Sequence, residues 1–538
     1  MKTIDINKRV WGVMIAGLLS VHSVLFTACS DYLDVDPTNA LMTGTFYKTE
    51  SQVNFALNGL YGSLKPVAKY QFCLSEMRSD NVWITADTKQ NDYVDIALFN
   101  ANGLLTDATI RTAWADYYTI VASANTLLEK IDDVTFKNEG TKTQYKAEAR
   151  FIRALAYFDL VRFFGNIPMA DHVLSTDEAF RLPQSTAKDI YEQLIVPDLQ
   201  YAVENLAETA LDYQGTAHPE RVTNVAAKAL LGKVYLTMAG FPLNQTDKKA
   251  SATELFREVI DYADANGKYW ANDMDEWENM WIHENDNKYF IFEIQYIAEK
   301  DEGNPMVTLS VKANPGNDWC SYNLITGTYI YIEKGLQNHY IERGEDNTYL
   351  DKRIYGTMNT RTGTGEDNES YTPTGNTFFV KFFENRFKRV DLGYSDMDAQ
   401  IIDRTYWPQN YPIIRLEDIM LLYAECVGPT SEGYDMINKI RNRAGLSSLS
   451  GLSDDDFLKA VDNERRYELA EEGQRWHDLV RHNTYVETIK SMFDKDDTTA
   501  GGTYRALMNR VTADMYLYPI PQSQIEVRAG LYQQNPGY

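Results

Sequence analysis

The chain is poor in positive charge and in cysteine. Its 538 residues carry 52 Lys and Arg against 77 Asp and Glu, a formal charge of −25. That balance excludes the basic stripe of a nucleic-acid binder and argues against electrostatic adhesion to anionic lipid. Four cysteines, Cys29, Cys73, Cys320 and Cys426, are too few for a disulfide framework. Their spacing is not that of a zinc site, and the last three read as small buried apolar groups. No uninterrupted apolar run reaches the ~18–20 residues that a membrane-spanning helix needs. Catalytic signatures are missing as well. His283-Glu284 lacks the second His of a zinc helix, and Gly363-Thr364-Gly365 lacks the spacing and the strand–helix frame of a phosphate loop. There is no Gly-x-Ser-x-Gly elbow. Asp396 and Asp398 lack the ordered ligands of a calcium loop. Paired carboxylates for glycoside hydrolysis do not stand out by spacing among so many acids. The expectation is a protein without catalysis, cofactor or metal.

What is present begins with a leader. Lys2, Lys8 and Arg9 precede the apolar run Val10–Leu19, and small residues follow, the pattern of a secretory signal over residues 1–28. Leu25-Phe26-Thr27-Ala28-Cys29 resembles a bacterial lipobox, with Phe26 larger than the usual Leu. In that resemblance Cys29 is lipidated and becomes the first residue, so acyl chains hold the protein to a membrane. The alternative is an ordinary signal peptide that contains a cysteine. Removing residues 1–28 takes away three basic side chains and one acidic one, so the remainder is more acidic still.

Residues 29–50 are short, polar and acidic and read as a tether. Helical periodicity then dominates 51–266. Phe151, Leu155, Phe158 and Val161 recur at helical spacing within 145–164, with Gly165 as a stop, and Ala227, Leu230, Leu231, Val234 and Met238 do so within 222–239. Further helices are expected over 50–64, 111–131, 187–206, 251–266, 432–444 and 454–481, and Leu416, Ile419, Tyr423 and Val427 mark another. Small residues such as Ala226, Ala227 and Ala229 sit against large ones, as close helix pairing requires. This is the flavour of degenerate tetratricopeptide-type helix pairs, which stack in units of about 34 residues. Residues 267–410 are irregular, rich in Gly, Asn, Asp, Thr and aromatics, with a strand-like stretch at 289–296. Residues 411–538 return to helices of the same body. The fold class expected is mostly α with an irregular, short-strand region.

Several segments together resemble the SusD/RagB family of outer-membrane lipoproteins from Bacteroidetes. They are Cys29–Pro37 (CSDYLDVDP), Ala147–Pro168 (AEARFIRALAYFDLVRFFGNIP), Arg415–Glu425 (RLEDIMLLYAE), Ile440–Leu446 (IRNRAGL), Glu464–Arg481 (ERRYELAEEGQRWHDLVR), and the closing Tyr518–Gln522 and Gln534–Tyr538. The resemblance runs end to end and thins over 267–410. It implies a helical body with four tetratricopeptide-type pairs and a surface-exposed outer-membrane location. It also implies a SusC-like TonB-dependent transporter as partner and an oligosaccharide as ligand, with peptide as an alternative cargo and a surface glycosidase as a more distant one.

The motif residues themselves read as scaffold. Glu464, Arg465, Glu468, Glu471, Glu472 and Arg475 are spaced to pair at i,i+3 or i,i+4, each pair worth a few tenths of a kcal/mol when exposed, and Arg150 and Arg153 extend over a helix edge. Ligand contact is expected from aromatics in polar, turn-rich context, because a sugar ring offers a C–H face for stacking and a hydroxyl rim for hydrogen bonds. Trp83 in Arg78–Ile84 and Trp319 in Asn314–Tyr322 are the candidate platforms, with Tyr322 third. Asp80, Asn81, Asn91 and Asp318 are the candidate hydrogen-bonding groups. Trp114 and Trp476 lie in helical pattern, and Trp277 and Trp281 at +4 spacing, so these are expected inside.

Overall fold

A computed structural model describes residues 46–84, 92–281, 287–297, 299, 302–306, 309, 330–358, 377–382, 409–495 and 505–538. The body considered below is Thr49–Tyr538. Its principal helices are α1 (Glu50–Gly62), α2 (Ala108–Lys130), α3 (Glu139–Phe164), α4 (Val196–Asn205), α5 (Asn224–Ala239), α6 (Lys248–Asn266), α7 (Leu416–Val427), α8 (Ser431–Arg443), α9 (Asp454–Glu468), α10 (Arg475–Arg481) and α11 (Tyr485–Lys495). Neighbours in sequence are neighbours in space: α2 packs on α3, α3 on α4, α4 on α5 and α5 on α6. The stack continues across the irregular region, with α6 on α7 and α7 on α8 and α9. No described helix is long and apolar enough to cross a membrane.

Local chemistry sets the ends. Asp107, Thr223 and Ser453 cap α2, α5 and α9 by accepting a backbone N–H of the first turn. Gly165 ends α3 with φ +70°, and a Cβ there would stand 2.6 Å from a methyl of Leu517. Both conformation and contact therefore require glycine. Helices α3 and α5 are buried on nearly every side, which is why their apolar residues are not confined to one stripe.

Small residues decide how closely α5 and α6 approach. At Gly232 an added Cβ would lie 2.6 Å from the ring of the fully buried Phe256. Gly232→Ala is therefore expected to lose about 1 kcal/mol net, an overpacking cost of about 1–3 kcal/mol outweighing the helix-propensity gain. At Gly59 on α1 nothing lies within 4 Å of the added Cβ, so Gly59→Ala should raise the unfolding midpoint. Urea unfolding of the two variants should show opposite signs; two shifts of one sign would contradict this packing.

One predicted helix is borne out and another is broken. The stretch 187–206 is helical from Ala187 to Asn205, with one π-helical turn at Tyr191–Ile195 leading into α4. The stretch 454–481 breaks between α9 and α10. There Glu471 and Gly473 take φ +75° and +69°, and their amides donate to the buried Glu76 carboxylate at 2.7 and 3.1 Å. The backbone leaves helix because a carboxylate nearly 400 residues earlier needs those donors.

The same motif corrects a second expectation. Its charged residues do not form an exposed ladder: Glu464, Arg465, Glu468, Glu471, Glu472 and Arg475 are all buried, and their partners are distant in sequence. Glu468 takes Arg415, Arg443 and Arg353 at 2.8, 2.7 and 2.9 Å, and the Trp277 indole N–H at 3.1 Å. Arg465 joins Asp418 and Asp478. Arg153 likewise binds Asp198 through two N–H groups at 2.7 and 2.9 Å rather than lying over an edge, which ties α3 to α4. Trp114, Trp277, Trp281 and Trp476 are buried as expected, and Cys73 is a buried free thiol.

Three two-stranded antiparallel sheets stand among the described residues. They pair β1 (Val82–Ile84) with β5 (Ile330–Ile332), β2 (Ile167–Pro168) with β3 (Gln184–Ser185), and β4 (Phe290–Ile294) with β6 (Tyr411–Arg415). β4 falls inside the strand-like stretch expected over 289–296.

Candidate functional site

The seven candidate contact residues separate into two groups. Asn91, Asp318, Trp319 and Tyr322 lie outside the described residues, as does Cys29. Trp83, Asp80 and Asn81 are described, and their surroundings are interior.

Trp83 is the middle residue of β1, opposite Tyr331 of β5. It is 7% exposed and meets the edge of Phe493 at 6.5 Å between ring centroids. It therefore offers no open ring face for a sugar. Asp80 accepts from Arg475 Nε at 2.7 Å and a second guanidinium nitrogen at 3.2 Å, with Arg466 Nε at 3.4 Å. Burial alone would raise its carboxyl pKa; the two guanidiniums outweigh that and hold it below the usual range. Asn81 is fully buried, donates to Glu76 at 2.7 Å and accepts from Arg466 at 2.9 Å. These three residues are corrected from ligand contacts to structural members. The reason is physical: the arginines of α9 and α10 reach the turn before β1 and consume its polar groups.

What β1 does position is the chain on either side of it. Antiparallel register sets Val82 against Ile332, Trp83 against Tyr331 and Ile84 against Ile330. The last described residue before Asn91 is thus paired with the first described residue after Trp319 and Tyr322. Glu333 continues the anchorage. Its amide donates to Asn81 O at 2.9 Å, and its carboxylate accepts from Arg466 at 2.8 Å. The half-buried Tyr331 was not singled out from sequence, although the alternation Ile330-Tyr331-Ile332 carries a strand signal. Among the described residues no group of His, Cys, Asp and Glu could hold a metal ion.

The sequence model described as "SusD family" matches residues 261–538, and one described as "Starch-binding associating with outer membrane" matches residues 31–236. The chain belongs to the SusD family. A SusD-like protein P38 of Formosa agariphila is 26% identical over 512 residues, spanning 90% of this chain and 93% of that one. Among solved structures, a SusD homolog from Bacteroides thetaiotaomicron superposes with a TM-score of 0.72 at 24% identity, covering 92% of this chain and 98% of its own. A structure titled "Laminarin binding SusD-like protein" gives 0.67 at 24% identity, covering 91% and 100%. The mostly helical SusD-like fold is thereby established, and the paired helices α2 to α9 are its tetratricopeptide-like body.

Proposed function

We propose that this SusD-family protein is a non-catalytic, surface-exposed lipoprotein that captures oligosaccharide and passes it to a SusC-like TonB-dependent transporter in the outer membrane. Cys29 is the lipidated residue. Trp319 and Tyr322 are the stacking platforms, with Asp318 and Asn91 as hydrogen-bonding groups. The supporting observation is the β1–β5 ladder, which fixes the ends of the segments bearing Asn91 and Trp319 next to each other. Candidate contact residues carried next to one anchored ladder are the economy expected of a ligand site built on a rigid scaffold. Starch binding and outer-membrane association in the description of the matched family model support the ligand class and the location. The fold relative described as a laminarin-binding SusD-like protein supports a glycan cargo. One or two stacked rings predict affinity of about micromolar to millimolar.

Affinity electrophoresis against a panel of soluble polysaccharides tests this. Trp319→Ala and Tyr322→Ala should abolish retardation on the retained glycan while leaving the unfolding midpoint unchanged. Retardation unaffected by both substitutions would reject these platforms, and sugar release by the purified protein would reject the non-catalytic assignment.

A further inference from the structure

A pocket of about 390 Å³ opens where the C-terminal end of α3, the turn after α5, α10 and the last segment of the chain meet. That volume falls in the range of small-molecule sites. No residue of the β1–β5 ladder lines it.

Its walls are aromatic and held. Phe241 meets Tyr516 edge to face, 5.1 Å between centroids at 74°. The turn that carries Phe241 is clamped to α10: its amide donates to Arg481 O at 2.9 Å. At the preceding Gly240 a Cβ would come 2.6 Å from that same oxygen. Only glycine lets the two backbones approach so closely.

Its charge runs against that of the chain. In a protein of net charge −25, the described lining includes Arg162, Lys188 and Arg481 and no carboxylate. Two of these cations are neutralised from behind, Arg162 by Asp159 and Arg481 by Glu425 and Asp478. Among the described residues, Lys188 pairs with Glu192 alone, at 3.9 Å across an exposed helical turn. His477 lines the pocket as well. Burial, then the charges of Arg162 and Lys233, hold its imidazole well below the usual range, so it is neutral. Lys188 is thus the most weakly paired of the three cations, beside apolar ring walls.

We propose that this pocket binds a compact ring-bearing monocarboxylate, the ring packed against Phe241 and Tyr516 and the carboxylate paired with Lys188. A polyanion such as a phosphate ester does not match a single weakly paired cation. A neutral sugar would leave that cation unused. The ligand chemistry is common to a uronic acid and to a free aromatic acid. The inference stands independently of the glycan reading above.

Isothermal titration of the full chain with sodium glucuronate, sodium benzoate and glucose decides it. At least one acid should bind saturably, and glucose about tenfold or more weaker, the loss expected for a charge-assisted hydrogen bond. Lys188→Gln, a rim substitution that leaves the body intact, should weaken acid binding by about the same factor. Phe241→Ala should weaken it too. Tighter glucuronate assigns the sugar acid, and tighter benzoate the aromatic one. The proposal is overturned if neither acid binds, if glucose equals the acids, or if Lys188→Gln or Phe241→Ala changes nothing. It is also overturned if Trp319→Ala removes acid binding, which would place the acid at the other site.

Discussion

Glu468→Gln should cost about 3–5 kcal/mol of folding stability, the loss seen when one partner is removed from a buried ion pair. Against a total of about 5–15 kcal/mol for a typical domain, that is a large share of the folding margin, and the urea midpoint should fall sharply. Glu468 is fully buried and balances Arg415, Arg443 and Arg353. The amide of Gln keeps the size and part of the hydrogen bonding but leaves three guanidiniums without their shared counter-charge. These arginines come from β6, α8 and the segment before a short helix at Ile354–Thr357, so the loss loosens several elements together. An exposed pair is the control. Lys459 and Asp456 lie 3.7 Å apart with mostly exposed side chains, and Lys459→Ala should leave the urea midpoint where it was. Equal midpoints for Glu468→Gln and the parent would contradict the structure.

The same clusters fix how stability depends on pH. Asp80, Asp351, Asp418, Glu425, Asp462 and Glu468 all have lowered carboxyl pKa values, Asp351 to about 2. For each, burial alone would raise the value, and cationic partners outweigh it. Their stabilisation is complete above the unfolded carboxylate range and is lost as pH falls through the folded values. Glu76, Glu148 and Asp198 are raised, chiefly by burial, and act in the opposite sense, three groups against six. The urea midpoint should therefore fall steeply between about pH 4 and pH 2, each dominant carboxylate adding up to about 1.4 kcal/mol per pH unit. A midpoint flat across that interval would show that the clusters are not ionised in the fold.

Much of this body was legible in the sequence where the signal was local. Helices α3 and α5 could be read because their signal is local: periodic apolar residues and a terminal glycine. The charged motif at 464–481 could be recognised but not interpreted. Its spacing suits an exposed helix face equally well, and its partners lie far away, Asp80 being 395 residues before Arg475. The break at Glu471 was hidden for the same reason, since the acceptor of its amide is Glu76. Val82–Ile84 is three residues long, too short for an alternation to show. The polar residues that follow made Trp83 look like part of a loop. Position on an exposed surface is a property of tertiary packing, and polar context along the chain is a poor substitute for it.

Trp83→Ala supplies the sharpest separation between scaffold and site. Emptying a buried tryptophan position costs about 3–5 kcal/mol in transfer and cavity terms, and here the ring bridges Phe493 of α11 and the β1–β5 ladder. The substitution should lower the unfolding midpoint strongly. It should weaken glycan retention only as far as the β1–β5 anchorage loosens, so that Trp83→Phe, which refills most of the volume, restores both together. Trp319→Ala is expected to behave in the opposite way, with retention lost and the midpoint kept. Measuring both quantities on the three variants makes the assignments separable. If Trp83→Ala abolished retention at an unchanged midpoint, Trp83 would be a contact residue despite its 7% exposure, and the ladder would have to open to present it. If Trp319→Ala lowered the midpoint as Trp83→Ala does, Trp319 would belong to the core, and the platform would have to be sought elsewhere on the segments that β1 and β5 hold together.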